Sequence, residues 1–361
     1  MFQNITIQEA RQNRSLRFID VRSPGEYAQG TIPGAVNIPL LDDNERALVG
    51  TTYKQKGSKQ ATELAMEIVS PKIPHYMREL TDHLRDGQAP LIFCWRGGKR
   101  SKAMATFADL FEIPVYRLEG GYRAYREYVV ERLSRTKLGM PTIVLHGLTG
   151  VGKTLILERL EARGEPVLDL EKLAGHRGSA FGSLGEITPR NQKSFDSLLL
   201  EKIEELEHAP YVFVEAESKR IGRVLVPDFI MQAKEKGVHL YMEAPMELRV
   251  KRILDEYHPE GTDEQQFQQK VLGAISRIEK KLASDVRNAL KDSAEAQNYA
   301  HLVFLLLTEY YDPRYEYTMK QYENTFHYVD ATDLDRAADK CQELGKNVKE
   351  AAALGSGHSS S

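Results

Sequence analysis

Two short stretches of this 361-residue chain carry residue types at spacings suited to chemistry. The first, Gly147-Leu-Thr-Gly150-Val-Gly152-Lys153-Thr154, reads G-x-x-x-x-G-K-T and lies between an apolar run, PTIVLHG, and a helix-forming one, TLILERLEARG. Glycines at these places let the backbone bend until successive N–H groups point inward at an anion, and the helix that follows adds the partial positive charge of its N-terminus. Lys153 is placed to reach a terminal phosphate and the Thr154 hydroxyl to ligate Mg²⁺. The second stretch puts Cys94 at the end of the apolar run PLIFCW, ahead of Arg96, Gly97, Gly98, Lys99 and Arg100 and a helix-forming SKAMATFADLF. Nearby cations and a helix N-terminus favour the thiolate, so Cys94 reads as a nucleophile at the base of an anion cradle. Cys341, in DRAADKCQELGKN, lacks such neighbours and reads as a packing residue.

Two further segments read as lining for the phosphate cradle. His176-Arg177-Gly-Ser179-Ala-Phe181-Gly182 offers a cation, a hydroxyl and an aromatic ring; Ser218-Lys219-Arg220 follows directly on the strand-like YVFVEAE. Arg177, Ser179, Ser218 and Arg220 are therefore expected to donate to a diphosphate, since ligands bind where parallel strands end. That strand closes on Glu215 and Glu217, where nucleotide-hydrolysing proteins with such a loop place an aspartate that orients Mg²⁺ and water. Glu215 is counted with the diphosphate site, but the departure speaks against ordinary ATP hydrolysis. A diphosphate carried on some other group fits the same cradle.

These residues need two sheets to hold them. Residues 1–133 alternate short strands (LRFIDV, AVNIP, PLIFCW, VYRLEGG) with helices, including one through EIVSPKIPHYMRELTDHL and another over Tyr122 to Leu133. Such alternation predicts an α/β unit with a mainly parallel sheet. Residues 134–141 read as a linker broken by Gly139 and Pro141. A second α/β unit is expected over 142–350, with five strand candidates and a helical insert at about 255–322. The insert's Val271, Ile275, Ile278, Leu282, Val286 and Leu290 recur at helical spacing and predict one buried stripe. Residues 351–361 are expected to form a tail outside the fold. The longest apolar run, Leu302 to Leu307, is far short of the roughly 20 residues a membrane span takes, and MFQNITIQEA lacks the features of a secretory signal. No membrane partner and a cytoplasmic, reducing location are the expectation.

Phe18-Ile-Asp20-Val-Arg22-Ser-Pro-Gly-Glu26-Tyr27 and Gly30-Thr-Ile32-Pro33-Gly34-Ala35-Val-Asn37-Ile-Pro39, with Leu118-Glu-Gly-Gly-Tyr122 further on, resemble the rhodanese domains. Rhodaneses carry sulfur or selenium on a cysteine, which implies that role for Cys94, either as a covalent perselenide or as an assisting group. The loop departs from the usual pattern by one residue: Cys94 to Arg100 is C-x5-R, a spacing also seen in Cdc25-type phosphatases. The larger loop suits a tetrahedral oxyanion and leaves both a phosphatase and a selenophosphate reading open.

A rhodanese-like unit ahead of GLTGVGKT, HRGSAFG and EAESKRIG resembles the tRNA 2-selenouridine synthase family over about residues 5 to 345. The resemblance implies an enzyme that converts wobble 2-thiouridine in tRNA, first attaching a geranyl group from geranyl diphosphate and then replacing the geranylthio group with selenium from selenophosphate. Both small molecules are then substrates; no tightly bound cofactor is expected, and Mg²⁺ would accompany the diphosphate at Thr154. The alternatives are a small-molecule kinase or NTPase with a rhodanese sulfur-carrier unit, and a non-catalytic carrier with a regulatory phosphate loop. A tRNA partner calls for positive surface. The net charge of -3 conceals it, because between Cys94 and Leu138 ten Lys/Arg stand against five Asp/Glu. TEYYDPRYEYTMKQYE adds aromatic faces beside Arg314 and Lys320 for stacking on bases.

Overall fold

In a computed structural model, residues 1–85, 87–176, 189–258, 262–314 and 326–356 are described. The chain separates into two compact units, one of residues 1–135 with 193–200 and the other of 136–192 with 201–361.

The first unit contains β1 (Gln3–Ile5), α1 (Ile7–Gln12), β2 (Leu16–Asp20), α2 (Pro24–Ala28), β3 (Val36–Asn37), α3 (Asp43–Lys56), α4 (Ser58–Val69), α5 (Ile73–Asp82), β4 (Ala89–Phe93), α6 (Lys99–Leu110), β5 (Tyr116–Leu118) and α7 (Gly121–Arg135). Its strands pair in parallel in the order β1-β5-β4-β2-β3. The helix expected through 67–84 is two helices. Pro71 sits in a 3₁₀ turn, Ser70–Lys72, and Pro74 opens α5, because proline lacks the N–H that a helix interior requires.

The sequence motif around Asp20 is a buried knot. The Arg22 guanidinium forks onto the Asp20 carboxylate (Nε–Oδ1 3.0 Å), donates to the Gly30 carbonyl at 2.7 Å and lies over the Tyr122 ring at 4.1 Å. Thr31 donates to Asp20 Oδ2 at 2.8 Å, and the Asn37 amide donates to the carbonyls of Asp20 and Arg22. With both charges buried, each needs the other and these extra hydrogen bonds to offset lost hydration. The knot fixes the end of β2, and the β2–β4 register sets Asp20 beside Phe93, immediately before Cys94.

The second unit contains β6 (Thr142–His146), α8 (Lys153–Ala162), β7 (Val167–Leu168), α9 (Leu170–Ala174), α10 (Gln192–Glu205), β8 (Val212–Glu215), β9 (Arg220–Ile221), β10 (Val224–Leu225), α11 (Asp228–Glu235), β11 (Val238–Glu243), α12 (Met246–Tyr257), α13 (Glu264–Ile278), α14 (Ser284–Glu295), α15 (Tyr299–Leu306), β12 (His327–Asp330) and α16 (Leu334–Ser356). The first residues of α10, 193–200, cluster with the first unit. The main sheet is parallel, ordered β12-β11-β6-β8-β7, and the five expected strands supply it. β9 and β10 form a separate antiparallel pair. β6 lies in the middle, between the strands that follow it to either side, so the loop after it opens at the switch point of the sheet.

The insert between β11 and β12 is a helical cluster. Its expected single stripe bends: α13 ends in a 3₁₀ turn at Glu279–Lys281, Leu282 is extended, and α14 begins afresh. Val271, Ile275, Ile278, Leu282 and Leu290 still meet in one core, with Val286 packed against it, because the turn folds α14 back. A π-helical turn, Leu307–Tyr311, follows α15. α16 runs past residue 350 to Ser356, its alanines favouring helix. Among the described residues no helix is long and apolar enough to cross a membrane.

Gly120 and Gly121 carry the closest approach in the first unit. Gly121 has φ +61°, and a Cβ there would stand 2.2 Å from the Cys94 carbonyl oxygen. Gly121→Ala should therefore lower stability by about 1–3 kcal/mol through backbone strain alone, read as an earlier urea midpoint, while Gly98→Ala, with open space at its Cβ position, should shift it much less.

Candidate functional sites

In the first unit, Cys94 lies just past β4 and is buried. Its Sγ accepts from the Gly98 N–H at 3.2 Å and sits 3.3 Å from Ser101 Oγ, so the first turn of α6 is wrapped around the sulfur. Gly97, at φ +64°, makes the bend possible. The Cys94 carbonyl accepts from Tyr122 N at 2.8 Å and that of Trp95 from Arg123 N at 2.9 Å, which docks the Gly-Gly-Tyr segment behind the loop.

The loop's cations are mostly committed. Arg100 grips Glu26 with both terminal nitrogens; burial favours the neutral carboxyl, but the guanidinium outweighs it and holds Glu26 below its ordinary range. Lys99 donates to Ser58 Oγ at 2.9 Å and Thr62 Oγ1 at 3.0 Å. Arg96 is exposed at the loop tip. An anion here meets backbone N–H groups and Arg96 first. The basic stretch beyond is partly internal too: Arg123 pairs with Glu127 and Arg135 with Glu131.

In the second unit, the loop from Gly147 to Gly152 has left-handed glycines at 147, 150 and 152, each close-packed: a Cβ on Gly150 would meet the Arg249 carbonyl at 2.9 Å, and one on Gly152 would meet Leu334 at 2.7 Å. Lys153 Nζ donates to the Gly147 carbonyl at 2.7 Å. Burial pushes its pKa down, against the pull of Glu217, Glu171 and Glu215. Thr154 lines the cavity over the loop. Glu215 ends β8 buried; Oε1 accepts from the Glu171 N–H at 2.8 Å and Oε2 has no hydrogen-bond partner among the described residues. Burial, then Asp169 and Glu171, push its carboxyl well above the ordinary range. Ser218 and Arg220 lie elsewhere, exposed on the β9–β10 pair, where Ser218 donates to the Arg220 carbonyl at 2.8 Å and Arg220 to that of Gly222. Arg177 and Ser179 lie outside the described residues.

The site also uses residues the motifs do not contain. Arg249 of α12 is buried; its Nε donates to the Thr149 carbonyl at 2.9 Å and its two terminal nitrogens take both oxygens of Asp312 at 3.0 and 2.7 Å. One turn on, Arg252 donates to the Val151 carbonyl at 2.7 Å and to that of Ala331 at 2.7 Å. Two guanidinium groups thus engage the Thr149 and Val151 carbonyls, while those of Gly147 and Leu148 accept from Lys153. Lys234 of α11 is buried, donates to the Glu217 carbonyl, and is pushed down to about 8 by burial against the pull of Glu215 and Glu217. His146, at the end of β6, shares a 2.7 Å hydrogen bond with His239; burial and the neighbouring positive charges push it down to about 3, so it is neutral across the physiological range. The only sequence signal for the arginines was their i, i+3 spacing on a helix after the fourth strand.

From the loop a cavity of about 470 Å³ extends into the helical insert. Gly150, Gly152, Lys153 and Thr154 lie at one end; Ile253, Phe267, Val271, Leu302, Leu306 and Tyr311 line an apolar part, and Glu158, Glu171, Glu217, Asp255 and Glu256 also border it. It joins a polar end at the glycine loop to an apolar chamber in the insert. Tyr310 and Arg314 of the aromatic stretch pack on each other, ring to guanidinium at 3.6 Å, within the insert; Lys320 lies outside the described residues.

The family model described as the tRNA 2-selenouridine synthase AAA domain matches residues 140–343, and the rhodanese-like domain model matches residues 6–128. A tRNA 2-selenouridine synthase of Nitrosomonas europaea is 33% identical over 338 residues, covering 82% of this chain and 87% of that protein. That of Hydrogenovibrio crunogenus is 34% identical, covering 85% and 90%, and that of Psychromonas ingrahamii 29% identical, covering 91% and 97%.

Asp312→Asn leaves the Arg249 charge buried without its counter-ion, which should cost about 3–5 kcal/mol, read as an earlier unfolding midpoint, and should weaken inorganic diphosphate binding at least tenfold in calorimetry. For Lys234 the folded pKa is about 8, below the ordinary 10.5. Between those values the unfolded chain binds more protons, so stability relative to Lys234→Met should rise from pH 8 to pH 10.5. A flat difference over that window would contradict a buried lysine.

Proposed function

This chain belongs to the tRNA 2-selenouridine synthase family and is an enzyme, and from that premise we propose that it acts on wobble 2-thiouridine of tRNA in two steps, S-geranylation from geranyl diphosphate in the second unit and exchange of the geranylthio group for selenium at Cys94 in the first. The observation that carries the first step is the cavity over residues 147–154. Its volume, about 470 Å³, falls within the range of small-molecule sites, roughly 300–1,000 Å³. The loop N–H groups and Lys153 hold the diphosphate, and the ten-carbon chain lies along Phe267, Val271, Leu302 and Leu306. At about 0.8 kcal/mol per buried CH₂, that chain contributes several kcal/mol of affinity which a nucleotide would not gain there.

In this reading the uridine sulfur attacks C1 of the geranyl group, the C1–O bond breaks, the diphosphate leaves with the electron pair, and the base releases its N3 proton to solvent. Lys153 and the inward N–H groups stabilise the charge that gathers on it. The donor set fits Mg²⁺, since the Thr154 hydroxyl and the unpartnered Glu215 Oε2 are hard oxygen ligands. When bound, the ion would neutralise part of the diphosphate charge. Glu171 and Glu217 flank that place, and the N–H of Glu171 fixes Glu215.

In the first unit, selenophosphate binds at the Cys94 loop through the first-turn N–H groups of α6 and Arg96. Selenium forms the bond to C2 of the base as the C2–S bond breaks and geranylthiol leaves; water takes up the phosphoryl group. Cys94 holds the selenium donor in place, and Ser101 Oγ hydrogen-bonds its sulfur. Exposed basic residues such as Lys102 and Lys137 bind tRNA phosphates. The cytoplasm, where tRNA is charged and used, is the place of action.

Purified protein given thiolated tRNA, geranyl diphosphate and selenophosphate, each omitted in turn, should yield geranylated and then selenated nucleoside by mass spectrometry. Lys153→Ala should cut geranylation at least a hundredfold. Cys94→Ser should abolish selenation and leave geranylation intact. Robust ATP turnover without RNA, with neither nucleoside product, would replace this reading with a kinase.

A further inference from the structure

The first unit holds a second apolar chamber. A cavity of about 590 Å³ opens between α3, α4 and α6. Its walls are carbon: Leu40, Leu41, Val49, Ala65, Met66 and Phe107. Among the described residues its charged lining is cationic: Lys54 and Lys99, with Arg46 and Arg100, which both pair with Glu26 behind it. α3 buries none of its fourteen residues, and Tyr53 and Met66 stay half exposed at the chamber. A helical hairpin that leaves this much carbon open has room for a ligand there.

Its place in the fold narrows the ligand. α6, whose first turn wraps the Cys94 sulfur, also supplies Lys99, Arg100, Ala103 and Phe107 to the chamber wall. Lys99, Ala103 and Phe107 lie at i, i+4 and i+8, one continuous stripe that leads away from the cysteine loop. Lys99 is held at the chamber edge by two hydroxyls, Ser58 and Thr62, so its charge meets no carboxylate there.

We infer that this chamber holds the isoprenoid chain of an S-prenylated nucleotide while its base is presented to Cys94, with Lys54 and Lys99 at its rim facing the nucleotide's phosphates. The inference rests on the two-step reading above, in which the Cys94 site must accept a base carrying ten apolar carbons. Without a chamber, that chain would lie in water or displace the loop. The chamber also favours the prenylated base over unmodified 2-thiouridine, and so makes the second step wait for the first.

The test uses the full chain and two anticodon stem–loops, one with S-geranyl-2-thiouridine and one with S-methyl-2-thiouridine, with Kd measured for each. Wild type should prefer the geranyl form at least tenfold. Ala65→Trp, which fills the chamber, and Met66→Glu, which places a carboxylate at an exposed wall position that does not threaten folding, should each erase at least five-sixths of that preference and leave the methyl form's Kd unchanged. Leu306→Trp, in the other unit's chamber, should leave the preference in place. Survival of the preference in both first-unit variants, or its loss in Leu306→Trp alone, overturns the inference. Conversion of the geranylated stem–loop by selenophosphate is followed in parallel: an inert wild type refutes the two-step reading, whereas a wild type that converts it and chamber variants with unaltered Kd refute the chamber alone.

Discussion

The Arg249 guanidinium, shared between the Thr149 carbonyl and the Asp312 carboxylate, is the interaction on which the second unit's site depends. A loop that is to bind an anion through its N–H groups must dispose of its carbonyls, and here α12 takes those of Thr149 and Val151. Arg249 and Arg252 do so from one side of the helix, while Ile253 and Leu254, the next residues, line the apolar chamber. One helix thus positions both ends of an amphiphilic cavity, and Asp312, just past the π-helical turn, ties the chamber's far wall to the same point. Cradle and chamber are mechanically one object.

The first unit solves a similar problem with a different balance of forces. Its buried Asp20–Arg22 knot fixes the strand end beside which Cys94 emerges, and the glycines at 120 and 121 let a second segment hydrogen-bond the loop's outer carbonyls. Most of the loop's positive side chains face the α3–α4 hairpin or Glu26. What is left for an anion is a helix N-terminus and one exposed arginine, a softer binding site than a ring of guanidinium groups would be.

Much of this was legible in the residues. The G-x-x-x-x-G-K-T spacing between strand and helix placed the tight glycine loop before α8, because few backbones permit left-handed glycines at 147, 150 and 152 at once. Cys94 was legible for the same reason, as a strand end followed by a glycine-bearing turn. The arginines that shape the phosphate loop were not, since a guanidinium bound to a carbonyl a hundred residues away leaves no local pattern. Ser218 and Arg220 follow the strand end in sequence, and the structure places them exposed at and just before β9. The broken helix at Pro71 and Pro74 was written in plain view and lost beneath the apolar periodicity that runs through it.

The central claim is that the phosphate loop and the apolar chamber bind one amphiphile. The most direct measurement is a calorimetric series on the full chain with inorganic diphosphate, dimethylallyl diphosphate, geranyl diphosphate and ATP. The account predicts affinity that climbs with chain length, tenfold or more for the added five carbons at about 0.8 kcal/mol per buried CH₂, with an increasingly negative heat-capacity change and with ATP no tighter than inorganic diphosphate. Affinity that ignores chain length, or ATP bound tightest of the four, would contradict it.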